Sequence, residues 1–514
     1  MSQSLRPQGA QADLRAAVLI AAGLALARLV ALFKTPLELY PDEAQYWLWS
    51  RTLDFGYYSK PPVIAWAIWA TTAIGGDSEA WVRLSANLFQ AGATFVVFLI
   101  GRRLYGAATG LAAAALYGLM PGVQLSALVA ATDAPLLFFL GLTILAYVHL
   151  LEGPKRPALV AAGLGAALGL AFLSKYAAVY FLIGLVIHLA VSKAARAAWT
   201  WPAALAAVGA FAAILAPNVA WNAAHHFATL QHTAQNAAWN GVQLFNLAAM
   251  GAFLGSQFGV FGPVPLGVLI VGVGLAVRRR SLAAGDLTLL CFTLPPMVIV
   301  TAQAFISRAN ANWSGAGYLA GCILVAAWLI RWRARRWLIA ALVIQGAVAA
   351  FFLVGIVSPG VADKAGLSNG LKRARGWEET TNVILDRAER EPGLSAIAVN
   401  NRFLFYAMSY YGRDRLGGAA PPLASWLLMD GPRNQAETAA PLTPAIGRRV
   451  LMVSYEGWRR AEMEADFAQA HDLEIGSVWL DRHHKRRVEM FVGQGFAPRP
   501  RDPASGLPSP ARRP

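Results

Sequence analysis

The chain has 514 residues, of which 57% are hydrophobic and only 14% charged, and its mean hydropathy is +0.46. A soluble protein of this length cannot hide that much apolar surface, so the composition excludes an ordinary globular protein and indicates a polytopic membrane protein. The net charge of +16 would suggest nucleic acid in a soluble chain. Here the basic residues fall in short loops between apolar stretches, where they set orientation, and no nucleic-acid partner is expected.

In chain order, Leu14 to Phe33 is long enough to span and no convincing cleavage pattern follows it, so it reads as a retained first helix. Directly after it comes Pro41-Asp42-Glu43-Ala44-Gln45-Tyr46-Trp47-Leu48-Trp49. Two adjacent carboxylates thus open an aromatic-rich amphipathic segment beside a span. Gly56-Tyr57-Tyr58-Ser59-Lys60-Pro61-Pro62 then brings in a lone lysine, and the apolar stretch at 62–74 is too short to cross. Further apolar stretches lie near 81–100, 107–122, 133–151, 158–173, 176–191, 201–217, 262–277, 286–304, 314–330 and 337–357. With the first helix they predict about eleven transmembrane helices.

Loop charge orients these spans. One set of loops holds Arg102-Arg103, Lys155-Arg156, Lys193 with Arg196, Arg278-Arg279-Arg280, and Arg331, Arg333, Arg335 and Arg336, almost without acids. The other holds Asp42, Glu43, Asp54, Asp77, Glu79 and Asp133 with a few isolated cations. The basic set and the N-terminus are expected in the cytoplasm. An odd number of spans then places the C-terminal region outside, in the periplasm if the membrane is a bacterial inner membrane.

Composition changes after Ser358. Residues 358–497 mix helix-like stretches (Gly376–Arg390, Trp458–His471) with strand-like ones (Ser395–Val399, Arg449–Ser454, Arg487–Val492), which predicts a small extracytoplasmic α/β domain. The expected domains are therefore 1–357, within the membrane, 358–497, and a disordered Pro/Arg-rich tail at 498–514.

Candidate chemistry sits at the ends of spans on the acidic side. Asp42 and Glu43 suit the first turn of a helix, where acids complement the dipole, and such a helix also holds a carboxylate rigidly. Asp133, in Thr132-Asp133-Ala134-Pro135, opens the fourth span on the same side and has the same two readings. Lys60 is either an interfacial lysine or a point charge for a phosphate. Lys175 and Arg308 are cations on the acidic side, against the orientation bias, and are candidates for an anion. Among His225, His226 and His232 no acid or cysteine lies nearby, so His226 is read as substrate-lining rather than as a metal ligand. Cys291 and Cys322, inside apolar stretches, read as packing residues. No phosphate loop or dinucleotide fingerprint is present, so nucleotide use is unsupported and no cofactor is expected.

These motifs, with Arg83-Leu84-Ser85-Ala86 and Phe172-Leu173-Ser174-Lys175-Tyr176, resemble the bacterial branch of the GT-C glycosyltransferases, the protein mannosyltransferase, aminoarabinose transferase (ArnT) and Rgt-type superfamily. The resemblance covers roughly residues 14–330 in motif order. It implies a GT-C membrane fold and sugar transfer, with inversion, from a polyprenyl-phosphate donor to a lipid, glycan or protein acceptor on the extracytoplasmic face, among membrane lipids. It further implies Asp42 as general base with Glu43 in support, and Lys60 on the donor phosphate. Asp133 would line the acceptor or donor side of the cavity. Lys175, Tyr57, Tyr58 and His226 are further substrate-binding candidates, and Arg308, by charge more than by motif, would be a second phosphate contact. Aminoarabinose transferases carry an acid implicated in metal binding just before the lysine. This chain has Ser59 there, which removes support for a metal site and for that sugar. The competing readings are a transporter or lipid flippase and a membrane assembly protein whose C-terminal domain does the work. In that domain Asn400-Asn401-Arg402 and Phe405-Tyr406 follow a strand and could touch an acceptor.

Overall fold

A computed structural model describes residues 7–236, 245–279, 282–418 and 420–502. The chain divides into two compact units. The first takes in the described residues up to Thr35 together with Asp54–Val357; the second joins Pro36–Leu53 to the described residues from Ser358 onward.

The first unit is helical. Among the described residues eight helices are long and apolar enough to cross a membrane, from Gln11–Lys34 to Arg335–Val357. Two pairs bent by 59° and 113°, Ala107–Leu119 with Pro121–Leu128 and Leu247–Val260 with Pro263–Arg278, raise the number to as many as ten if each pair is one span. By length the predicted count of eleven is not reached, because the apolar helix Tyr176–Val191 is shorter than a span. Val63–Gly75 is likewise a short apolar helix, as its length predicts. Small residues let the helices approach closely, as membrane packing requires. A Cβ on Gly165 would lie 2.0 Å from the Ala207 carbonyl oxygen, and one on Gly169 would meet Ile214. Ala161 and Ala203 share a buried cluster, and the rings of Phe172 and Phe211 meet edge to face. These contacts advance together along both chains, so the helices Pro157–Ser174 and Trp201–Ala224 run parallel. The chain between them must therefore return along the bundle, and Tyr176–Val191 lies in that return.

The break at Met120-Pro121 has a clear cause and an unexpected guard. Proline cannot supply the N–H that would continue the helix, so the preceding carbonyls lose partners. The Gly118 carbonyl instead accepts from Arg28 Nη2 at 2.5 Å and from Gln124 Nε2 at 2.6 Å. Arg28 is 1% exposed, and its Nε also donates to Gln124 Oε1. A cation at a helix C-terminus is favourably placed against the dipole. Cys291 and Cys322 are buried free thiols.

The second unit is a five-stranded mixed sheet with helices. Its strands are β1 (Ala396–Val399), β2 (Leu423–Ser425), β3 (Arg449–Ser454), β4 (Phe467–Trp479) and β5 (Lys485–Phe496). The spatial order is β2-β1-β3-β5-β4. β1 runs parallel to both neighbours, and β5 runs antiparallel to β3 and β4. The helix expected over Trp458–His471 is instead a short turn and helix ending at Glu464, and Phe467 already begins β4. The reason is tertiary. Asp466 is fully buried and accepts from Trp426 Nε1, Arg499 and Arg501, so the chain must stop there to present its carboxylate. The same contacts hold Arg499 and Arg501 at the start of the predicted tail; residues 503–514 lie outside the described ones.

Pro36–Leu53 groups with this unit for reasons its sequence does not reveal. The Glu38 carboxylate accepts from the Trp377 and Glu378 backbone N–H groups, capping the helix Trp377–Glu389 that Gly376 cannot cap. Burial raises the Glu38 pKa, and those two N–H groups work against the rise. Leu39 N donates to Tyr411 at 2.7 Å, and Trp47 meets Tyr410 edge to face.

Candidate active site

The predicted site residues fall into both units, and each set has its own geometry. In the second unit, Asp42 and Glu43 stand in the first turn of the helix Pro41–Ser50. Glu43 is fully buried. Its Oε2 accepts from the Tyr40 N–H at 2.8 Å, satisfying a donor left over at the helix start. Glu43 therefore fixes the turn that carries Asp42. Asp42 itself is half exposed, at 50%, and its Oδ1 accepts from Arg402 Nη1 at 3.0 Å. The same nitrogen donates to Gln45 Oε1 at 2.7 Å, and the guanidinium lies over the Phe403 ring. Arg402 is the first residue of the helix Arg402–Tyr411, N-capped by Asn401 and following β1. The carboxyl end of a parallel strand is where open α/β sheets present their binding groups. Sequence reading named Arg402 only as a possible acceptor contact. Its bond to Asp42 spans 360 residues and leaves no local signal.

In the first unit, the segment from Asp54 to Lys60 folds tightly. Tyr57 N donates to the Lys60 carbonyl, and Asp54 N donates to the Tyr57 hydroxyl. Trp221 covers Gly56 so closely that a Cβ there would fall 2.4 Å from its ring, so only glycine fits. Asp54 Oδ2 accepts from Trp221 Nε1 at 2.7 Å, Asn218 Nδ2 donates to the Phe55 carbonyl at 2.6 Å, and Thr229 donates to the Tyr57 carbonyl. Burial pushes the Tyr57 phenol up to about 12, against the bond from Asp54. Lys60 and Tyr58 are partly buried, and Tyr58 packs edge to face with His232 at 5.9 Å.

Asp133 begins the helix Asp133–Leu151, and Lys175 sits in extended backbone just after Pro157–Ser174. They form an ion pair of 2.9 Å in which each side chain is about one-fifth exposed. Asn312, in the turn Ala311–Ser314, donates to the other Asp133 oxygen at 3.3 Å. Tyr176, the residue after Lys175, donates to Asn218 and accepts from Asn222. The Asp133–Lys175 pair is thus tied to the Asp54–Lys60 segment through the adjacent chain at Tyr176, whose partner Asn218 donates to the Phe55 carbonyl. Arg308 is exposed and makes no ion pair among the described residues; in its motif it is Asn312 that reaches Asp133.

His226 is exposed, in a left-handed turn at φ 53 with Phe227 at φ 56. His225 stacks on Trp221, and the histidine that meets a predicted site residue is His232, which sequence reading weighed with the other two but did not choose. Among the described residues no group of three or more His, Cys, Asp and Glu is placed to hold a metal ion.

The dolichyl-phosphate-mannose-protein mannosyltransferase family matches residues 59–221. The lipid A galacturonosyltransferase RgtD of Rhizobium johnstonii is 34% identical over 404 residues, covering 78% of this chain and 83% of that protein. Two solved structures of ArnT from Cupriavidus metallidurans share the fold. The one bound to undecaprenyl phosphate has a TM-score of 0.62 at 18% identity, and the apo form 0.59 at 16%. Each covers 92% of this chain and 97% of ArnT.

Proposed function

This chain belongs to the GT-C glycosyltransferases of the ArnT and Rgt type, multi-span membrane enzymes, and on that premise we propose how it acts. It takes a sugar from a polyprenyl-phosphate donor and passes it to a cell-envelope acceptor on the periplasmic face of a bacterial inner membrane. Lipid A or its core is the favoured acceptor class and a hexuronate the favoured sugar class, because the similar RgtD is a lipid A galacturonosyltransferase. The bound undecaprenyl phosphate of ArnT supports the donor class. A transporter or flippase is not favoured by these relatives.

The acceptor hydroxyl oxygen attacks the anomeric carbon as the bond from that carbon to the phosphate oxygen breaks, inverting the configuration. The hydroxyl proton goes to Asp42, and polyprenyl phosphate leaves as an anion. A base must lie within hydrogen-bond reach of that hydroxyl. The observation that carries the assignment is the state of Asp42. It is on a rigid helix turn fixed by the buried Glu43, half exposed, with only one oxygen hydrogen-bonded among the described residues. Glu43 positions rather than reacts. Lys60 meets the donor phosphate, where a fixed cation stabilises the growing negative charge. Arg308 is a second cation for that phosphate or for a uronate carboxylate. Lys175 is less suited to the latter because Asp133 already neutralises it. Asp133, Lys175, Tyr57 and Tyr58 shape the substrate cavity, and His226 borders it.

Residues 1–357 carry the catalytic membrane domain, save that Pro36–Leu53 groups with the residues after Ser358; 358–497 make a periplasmic domain and the rest a tail. The parallel packing of Pro157–Ser174 and Trp201–Ala224 supports Tyr176–Val191 as an eleventh crossing, which keeps the N-terminus in the cytoplasm and the C-terminal domain outside.

The experiment is mass spectrometry of envelope lipids and glycans from a deletion strain with and without the wild-type gene. One sugar mass should vanish on deletion and return on complementation. An unchanged envelope, together with no transfer by the purified protein from polyprenyl-phosphate sugars, overturns the proposal.

A further inference from the structure

We propose that a groove between the helices Pro263–Arg279, Gly315–Arg331 and Arg335–Val357 binds an anionic glycerophospholipid from one membrane leaflet. This goes beyond sugar transfer, and none of the residues given a role in that reaction takes part. The cavity measures about 650 Å³, and Pro263, Gly267, Val268, Val271, Trp332 and Trp337 line it. Among the described residues no charged side chain lines it, so its occupant there is a hydrocarbon chain.

Its depth matches a single leaflet. Phe261, just before Pro263, accepts at its carbonyl from Gln345 Nε2 at 2.9 Å. Gln345 lies ten residues along the helix that begins at Arg335, a rise of roughly 15 Å. That is about half the hydrocarbon thickness of a bilayer. The groove thus climbs from the two indoles at the interface to the level of the midplane. Tryptophan is the residue that favours the headgroup boundary.

Positive charge waits at its mouth. Arg331 is taken up by Asp286, which accepts from it at 2.6 and 2.9 Å. Arg333, Arg335 and Arg336 are exposed and make no ion pair among the described residues. Orientation alone would favour arginines in this loop, but not their placement. Arg335 and Arg336 occupy the first turn of a helix, where the dipole opposes cations. Arg333 holds φ 54 just past the end of another helix, a position where glycine is relaxed and an arginine is strained. The unfavourable placement of Arg335 and Arg336 against the helix dipole is offset when an anion covers the guanidinium groups. A phosphodiester headgroup supplies that anion while its acyl chain fills the groove, the arrangement expected for basic sites between membrane helices.

The test uses the full-length protein and native mass spectrometry with equal amounts of phosphatidylglycerol and phosphatidylcholine. Wild type should retain phosphatidylglycerol in preference by roughly tenfold or more, as three nearby arginines predict. Combined Arg333→Ala, Arg335→Ala and Arg336→Ala should remove that preference and leave weak binding of both lipids. Gly267→Phe should remove both lipids, since a Cβ at Gly267 meets nothing within 4 Å and the ring enters open space. Sugar transfer should persist in both variants. The proposal is overturned if wild type shows no preference or if the arginine variant keeps it. It is also overturned if polyprenyl phosphate displaces phosphatidylglycerol from wild type and Gly267→Phe loses polyprenyl-phosphate binding as well, which would make the groove a donor-chain site. The arginine variant changes only exposed side chains, so the test stands even if Gly267→Phe fails to fold.

Discussion

Replacing Asp42 by asparagine separates chemistry from architecture, because the two effects differ greatly in size. Architecture should change little. Only Oδ1 accepts from Arg402, at 3.0 Å, and an asparagine oxygen can occupy the same place. Arg402 also keeps Gln45 as a partner. The ion pair is 37% and 50% exposed on its two sides, so losing its charge should cost no more than about 1 kcal/mol. Catalysis should change a great deal. A positioned general base contributes about 10²- to 10⁴-fold, equivalent to roughly 2.7–5.5 kcal/mol of barrier. The assay is single-turnover transfer by purified enzyme in nanodiscs, with thermal unfolding and polyprenyl-phosphate binding measured on the same preparations. The expected result is a rate loss of about 10² or more with donor affinity and melting behaviour close to wild type. Asp42→Glu should also be slow, since a shift of the base by about 1 Å can cost about 10²-fold. A turnover within about threefold of wild type in Asp42→Asn would refute the base assignment, because no general base is that dispensable.

Three further outcomes follow from the packing. Removing either Asp133 or Lys175 should lower stability, and a double-mutant cycle should return a coupling of about 1–3 kcal/mol for a partly buried pair at 2.9 Å; strictly additive melting shifts would mean the two do not interact. Gly165→Ala should prevent correct assembly, because its Cβ would collide with the Ala207 backbone, whereas Gly163→Ala, with nothing within 4 Å, should be neutral or stabilising by about 0.5–1 kcal/mol. Size-exclusion profiles of the solubilised proteins distinguish these, and two identical profiles would contradict the close approach. Arg387, then Arg449, hold the Glu391 carboxyl below its ordinary value of 4.5. A depressed folded-state pKa gives stability that is present above 4.5 and lost as pH falls through the lower folded value. Melting temperature should therefore drop with acidification below that point, and Glu391→Gln should flatten the drop; equal slopes in both proteins would remove the pair from the account.

Much was legible in the sequence because its signals are local. A span announces itself by about 20 apolar residues, so each predicted span between Leu14 and Val357 has a helix near its place, save that length alone does not make Tyr176–Val191 a span; the helix Leu247–Val260, bent against Pro263–Arg278, was not foreseen. β1 and β3 were legible for the same reason: short buried strands read as unbroken apolar runs. The Asp42-Glu43 pair and the Tyr-Tyr-Ser-Lys-Pro-Pro loop were legible as residue types at fixed spacing. What those residues touch was not, since partners far apart in the chain are chosen by packing. Only the folded chain joins Arg402 to Asp42, Asn312 to Asp133 and His232 to Tyr58. Only it assigns Glu43 to holding a helix end, moves Pro36–Leu53 into the unit of the C-terminal sheet, and turns Trp458–His471 into the approach to a strand around the buried Asp466. The sequence by itself determined where apolar surface had to be buried and where charge had to stop, because transfer free energy depends on residue type. The tertiary structure decided which polar groups meet, because a buried donor or acceptor must find a partner wherever the fold brings one.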